Sequence, residues 1–253
     1  MRTLRSVEVA RRLELLTGVG TALAESAESA GMSAPVPSCP GWTVRDLLAH
    51  VGTVHRWAGT IVGERRTGPA VEAAEAPKDG LVEWYRDGHT ALVDALTAAP
   101  AELDCWSFLP SPSPLQFWSR RQLHETAIHR VDAGLANGES VAYGADLAAD
   151  GVDEIITGFL PRPASRIHLP SDRCLTVRAT DANRLWRVVI GPGLPVGVEI
   201  ASGQPQPSDC TVSGPASDLY LLLWNRGDRS GLDVEGDVEL LATWRTQLQV
   251  RWR

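Results

Sequence analysis

Lysine is nearly missing from this 253-residue chain: Lys78 stands alone, and the other basic residues are arginines. The 24 basic and 31 acidic residues leave a net charge of −7, and nowhere do basic residues cluster as a groove tracking nucleic-acid phosphates requires. Nucleic acid is therefore not an expected partner. Cysteine is also scarce. Cys39, Cys105, Cys174 and Cys210 lie far apart, without the paired spacing of a zinc ribbon or a thioredoxin-like site, in a chain too long to be a disulfide scaffold. Reduced, packed thiols are expected. No window holds about 18 uninterrupted apolar residues, and the first 16 residues contain no apolar block of the secretory kind. A cytoplasmic protein without a membrane partner is expected. Internal repeats and low-complexity tracts are absent as well. The glycines Gly191, Gly193 and Gly197 lack the strand-turn-helix setting of a phosphate loop.

What is present is the composition of a globular protein, 43% hydrophobic and 22% charged, long enough to bury a core without a structural metal. Up to about Ala148 apolar residues recur at spacings of three and four, with Pro- and Gly-rich breaks between segments. Four helices fit. The first runs from Val7 to Ala30, with Val9, Leu13, Leu16, Val19 and Leu23 on one side, and the second follows the loop Pro35–Gly41. The third covers Gly80 to Leu96. Phe108 to Pro114, with three prolines, reads as non-helical, and the fourth helix spans Leu115 to Leu135.

From Pro161 onward the period changes to two. Arg166–Leu169, Cys174–Ala179, Leu185–Ile190, Val196–Ile200 and Asp209–Ser213 read as strands, followed by helices over Pro215–Asn225 and Val238–Val250, the latter with Asp237 as N-cap. The expected fold class is α+β: a helical bundle over residues 1–148 and a smaller α+β domain over 149–253.

The second helix opens with Thr43-Val44-Arg45-Asp46, a hydroxyl followed three residues on by an acid that can reach back to the helix start. Within it, Val44, Leu47, Leu48, Val51, Val54, Ala58, Ile61 and Val62 form the core stripe, with His50 and His55 on opposite margins. The fourth helix contains Arg121, His124, Glu125, His129 and Asp132. A zinc-protease motif needs two histidines four apart. His124 and His129 are five apart, which turns them about 140° from each other and excludes that reading.

Glu125 and His129, one turn apart, are able to present an oxygen and a nitrogen to one point, with His50 as a third ligand from a neighbouring helix. Two histidines and a carboxylate leave a coordination position open on a divalent metal. Asp132 and Arg121 are placed to orient these ligands. Spacing alone allows a plainer account, in which Arg121, Glu125 and His129 form an ion pair with a half-buried histidine beside it. His124 reads as a border or solvent residue. His89 and His168 read as surface or core-edge residues, and Cys39 as a packed loop thiol. Of the tryptophans, Trp42, Trp57, Trp84, Trp106 and Trp118 are candidates to line a pocket, with core packing the commoner role.

The segments Pro37–His50 and His124–Ala133, with Gly214–Trp224 and Gly236-Asp237 near the end, resemble an actinobacterial family of mycothiol-dependent enzymes typified by maleylpyruvate isomerase. The resemblance covers nearly the whole chain. It implies a DinB-like four-helix bundle followed by a small sterol-carrier-like α+β domain, with a divalent metal, zinc first, on His50, Glu125 and His129. It also implies mycothiol as cofactor, an arginine of the C-terminal domain near that thiol, for which Arg226 is the candidate, and a small electrophilic substrate. Cis-trans isomerisation and thiol S-transfer both remain open. A second reading, from a different class, is a binding protein on the same scaffold that holds a thiol or apolar ligand without turnover; an incomplete ligand trio would favour it.

Overall fold

The computed structural model describes residues 2–72, 74–163, 165–200 and 207–250, with residues 2–7 in backbone only. Two compact units divide the chain, Met1–Val141 and Ala142–Arg253. The first is a bundle of four helices, α1 (Arg2–Ala30), α2 (Val44–Gly63), α3 (Leu81–Ala98) and α4 (Pro114–Ala136). The ends of these helices follow local chemistry. Thr43 caps α2, accepting from the Asp46 N–H while the Asp46 carboxylate accepts from the Thr43 N–H at 2.8 Å. Ser113 caps α4 by accepting from the Gln116 N–H, and Pro114, which has no N–H to satisfy, fills the first helical position. Gly80, at φ 68°, takes the left-handed turn into α3 at no steric cost.

Leu16, Leu23, Leu47, Leu48, Val51, Tyr85, Leu92 and Trp118 are all fully buried and form much of the bundle core. Of the stripe expected on α1, Leu16 and Leu23 are buried, whereas Val9, Leu13 and Val19 are half-buried. Helix α4 departs from the amphipathic pattern: Arg121, Gln122, His124, Glu125, Thr126 and Asp132 are buried along with its apolar residues. Several of these buried polar groups pair with polar neighbours: Arg121 with Glu125, Asp132 with His129 and Thr126 with His55.

The second unit begins with α5 (Ala145–Asp153), which runs into a π-helical stretch at Glu154–Phe159. The sequence reading ends its helical domain at residue 148, inside α5. The division falls earlier, at Val141 and Ala142, because α5 packs within the second unit: the Trp224 indole donates to the Gly151 carbonyl at 3.0 Å, and a Cβ on Gly151 would lie 2.2 Å from the Tyr220 ring. Strands β1 (Arg173–Ala179), β2 (Arg184–Ile190), β3 (Val196–Ile200), β4 (Cys210–Gly214) and β5 (Asp233–Gly236) form one mixed sheet in the order β3-β2-β1-β4-β5. Among the described residues only the β1–β4 pair is parallel, with Val177 opposite Val212. On β4, Cys210, Val212 and Gly214 are buried in alternation with Thr211 and Ser213, as a strand with one face on the core requires. Helix α6 (Ala216–Leu223) lies against β1 and β4, and α7 (Glu239–Gln247) closes the unit, its Trp244 indole donating to the Leu223 carbonyl at 2.9 Å.

Three expectations are corrected. Arg166–Leu169 is not a strand: the sheet positions beside β1 and β2 are already taken, and Leu169 contributes one backbone bond, to Gly191. Helix α5 with its π-helical continuation, and the four-residue strand β5, were not expected from the pattern. The last helix ends at Gln247, short of Val250, and its N-cap position is Val238, not Asp237; Asp237 stands one residue earlier and accepts from the Glu239 N–H at 3.0 Å. The four cysteines are free thiols. Among the described residues no helix is long and apolar enough to cross a membrane.

Candidate metal centre

His50 stands on the second turn of α2, and Glu125 and His129 on successive turns of α4. One ligand atom from each lies within 4.8 Å of the others. The Nε2 atoms of His50 and His129 are each 3.3 Å from Glu125 Oε1. That spacing is long for a charge-assisted hydrogen bond, which closes to about 2.7–2.9 Å. It matches the edge of a coordination tetrahedron, since two ligands about 2.0–2.1 Å from one ion stand about 3.3–3.4 Å apart. Nitrogen and oxygen donors of this kind suit zinc and neighbouring divalent metals. The trio therefore fits a cation in donor chemistry, and its two edges at Glu125 Oε1 have the spacing of a tetrahedral site.

The surroundings hold each ligand in place. Asp132, fully buried, accepts from His129 Nδ1 at 2.8 Å, which leaves the Nε2 side turned toward Glu125. The Ser38 hydroxyl donates to Asp132 Oδ1, and the Cys39 thiol lies 3.6 Å from Oδ2, so the loop before α2 is anchored on the same carboxylate. Arg121, fully buried one turn before Glu125, sits 3.2 Å from Oε2 and leaves Oε1 to the two imidazoles. Trp42 meets the His50 ring edge-on, with centroids 5.1 Å apart. His50 is the most open of the three, with a fifth of its side chain exposed, while Glu125 and His129 are closed in.

This setting shifts the ionisation of the ligands. Burial alone would raise the Glu125 pKa, but polar contacts from His129 and His50 and the Arg121 charge outweigh it and hold the carboxyl well below its usual range. Burial opposes a charged His129, yet Asp132 and Glu125 overrule it and raise the imidazole to about 9.

Other expectations fare differently. His124 is fully buried and not a border residue, because α4 is enclosed on all sides. His89 lies inside the bundle at 6% exposure, its ring against Gly20 of α1, whereas His168 is exposed. Cys39 is a half-buried loop thiol. Trp57, Trp106 and Trp118 join Phe108 and Phe117 in an aromatic cluster of edge-to-face and tilted rings, and Trp84 stacks under the Arg56 guanidinium at 3.8 Å. Arg226 follows α6 in the second unit and donates to the Trp224 carbonyl at 3.0 Å. Ser38 is the contact that sequence spacing does not signal, since it stands 94 residues from Asp132.

A four-helix bundle that converges two imidazoles and a carboxylate, followed by a small mixed-sheet domain, defines a two-domain class of protein whose bundle holds a candidate metal-binding cluster. The family described as "Mycothiol maleylpyruvate isomerase N-terminal domain" matches residues 13–134, and the corresponding C-terminal domain matches residues 146–243. The chain belongs to the mycothiol-dependent maleylpyruvate isomerase family. The crystal structure of a mycothiol-dependent maleylpyruvate isomerase is similar to it with a TM-score of 0.61 and 16% identity, over 91% of this chain and 94% of that one. A histidine-to-alanine mutant of a mycothiol-dependent maleylpyruvate isomerase gives 0.63 at the same identity and coverage. At this identity the likeness establishes the fold. No curated protein matches the sequence.

Proposed function

We propose that this chain is a mycothiol-dependent, metal-containing enzyme of the isomerase or thiol-transferase type, with His50, Glu125 and His129 as metal ligands. The observation that carries the reading is the pair of 3.3 Å separations about Glu125 Oε1, wide for hydrogen bonds and right for a shared cation. A bound divalent metal, zinc first, supplies the Lewis acidity that keeps a low-molecular-weight thiol ionised at neutral pH, where a free thiol with a pKa of about 8.5 is mostly protonated.

The chain's own residues prepare that chemistry. Asp132 takes the Nδ1 proton of His129 in a hydrogen bond and so fixes which nitrogen faces the centre. Arg121 balances the buried Glu125 charge and turns its Oε1 inward. Three protein ligands would leave a bound metal able to take sulfur, and His50, the least buried of the three, would be the one nearest to an entering thiol. Thiolate addition to an activated double bond, followed by rotation and elimination, gives isomerisation; displacement of a leaving group gives a stable conjugate. Membership in a maleylpyruvate isomerase family supports the first outcome. Arg226 is our candidate residue for binding the thiol cofactor.

The test is elemental analysis of the purified protein beside His50→Ala, each titrated with mycothiol by calorimetry. One equivalent of metal, and thiol binding that disappears with it in the variant, support the enzyme. Wild-type protein that stays metal-free after reconstitution with zinc removes the reading and leaves a non-catalytic binding protein.

A further inference from the structure

The helix geometry of α4 fixes Glu125 and His129 relative to each other, but His50 comes from α2, so its place in the trio depends on how two separate helices are set. Apolar contacts between helices are non-directional and tolerate sliding. A second polar contact crosses the same pair: His55 Nε2 lies 2.9 Å from the Thr126 hydroxyl oxygen, with both side chains fully buried. Thr126 directly follows Glu125, and His55 stands five residues beyond His50, about 7.5 Å further along α2 at 1.5 Å per residue. One contact between two rods leaves them free to pivot. Two contacts, about 7.5 Å apart along α2 although on adjacent residues of α4, restrict that pivot.

The direction of this bond can be worked out from its neighbours. The single Thr126 hydroxyl proton goes to the Gln122 carbonyl at 2.7 Å, one turn earlier on α4. The oxygen can then only accept from His55, so His55 must carry its proton on Nε2. Burial, and next to it the neighbouring His89, hold the ring well below its usual pKa and hence neutral, which leaves Nδ1 unprotonated. Tyr85 and His89 of α3 enclose the ring, with centroids 5.5 and 5.2 Å away. His55 is thus confined to one tautomer and aimed at one acceptor.

We propose that His55 is a positioning residue for the metal centre: by donating Nε2–H to Thr126 it locks α2 against α4 and so sets where His50 stands relative to Glu125 and His129. The proposal rests on reading that trio as a metal site, and its test separates the two. First, nitrogen-resolved NMR of the histidine rings in the metal-free wild-type protein is expected to find His55 as the Nε2–H tautomer; an Nδ1–H tautomer overturns the tie. Second, cobalt(II) affinity by chelator competition, together with the visible cobalt spectrum, is compared in wild type, Thr126→Val and Thr126→Ser. Thr126→Val is expected to lose about ten- to a hundredfold in affinity with an altered spectrum, and Thr126→Ser, which keeps the hydroxyl, to restore both. Thr126→Val with wild-type affinity and spectrum overturns the positioning role while the metal centre stands. Wild type that binds neither cobalt nor zinc overturns both. If far-UV circular dichroism shows Thr126→Val unfolded, Thr126→Ser and the wild-type tautomer decide: a serine variant with weakened cobalt binding, or the Nδ1–H form, counts against the role.

Discussion

In the metal-free protein the centre is expected to hold a proton that an incoming cation must displace. His129 lies between Asp132, 2.8 Å from Nδ1, and Glu125, 3.3 Å from Nε2. Burial disfavours its charged form, but the two carboxylates outweigh it and raise the imidazole to about 9. A ligating imidazole must be neutral, whereas Glu125, held well below its usual range, is already ionised and has no proton to release. Apparent metal affinity should therefore rise about tenfold per pH unit from near neutrality up to about pH 9 and then level off. At about pH 7, two units below, the proton weakens binding roughly 100-fold, or about 2.7 kcal/mol. Zinc titration calorimetry against a competing chelator, across this range and in buffers of different ionisation enthalpy, yields both the slope and the proton count. About one proton released per ion by His129 near pH 7 is expected. Affinity that is flat between about pH 7 and 9, with no proton release, would refute the reasoning. The same shift has a sign for stability. A raised folded-state value stabilises the metal-free bundle fully below the unfolded value of about 6.5, and that contribution is lost as pH rises through about 9.

Three further outcomes can be checked. Asp132→Asn keeps the shape but removes the charge behind His129, so metal affinity measured above about pH 9 should fall about 10- to 100-fold, with the His129 proton released at lower pH in an NMR titration. Thr43→Ala removes the cap of the helix that carries His50 and should cost about 1 kcal/mol in urea unfolding; an unchanged midpoint would mean that the capping box does not matter. Gly151→Ala drives a methyl to 2.2 Å from the fully buried Tyr220 ring, and a loss of about 1–3 kcal/mol is expected by scanning calorimetry, while a neutral result would show that the ring has room to move.

Local chemistry was readable without coordinates wherever its partners are close in the chain. The capping box of Thr43 and Asp46 needs only residues three apart, and Glu125 with His129 needs only the pitch of one helix. The alternation of Cys210 to Ser213 likewise announced a strand with one buried face. Pattern misled where burial is not one-sided. Helix α4 is enclosed all round, so His124, off its apolar line, looked solvent-facing although it is buried. The segment Arg166–Leu169 has strand-like residues, but a strand needs an open neighbour, and the places beside β1 and β2 were filled. Spacing proposed that His50 meets Glu125 but could not place it there, because 75 residues separate them and the distance depends on helix packing. Nor could it reveal the Ser38–Asp132 and His55–Thr126 contacts, which cross 94 and 71 residues. The sequence by itself determined the four bundle helices, the capped start of α2 and the approach of Glu125 to His129 one turn apart, since backbone geometry makes those relations local. Tertiary packing alone decided that His50 joins that pair and which groups surround it, because the energy of such contacts depends on distances that only a closed core defines.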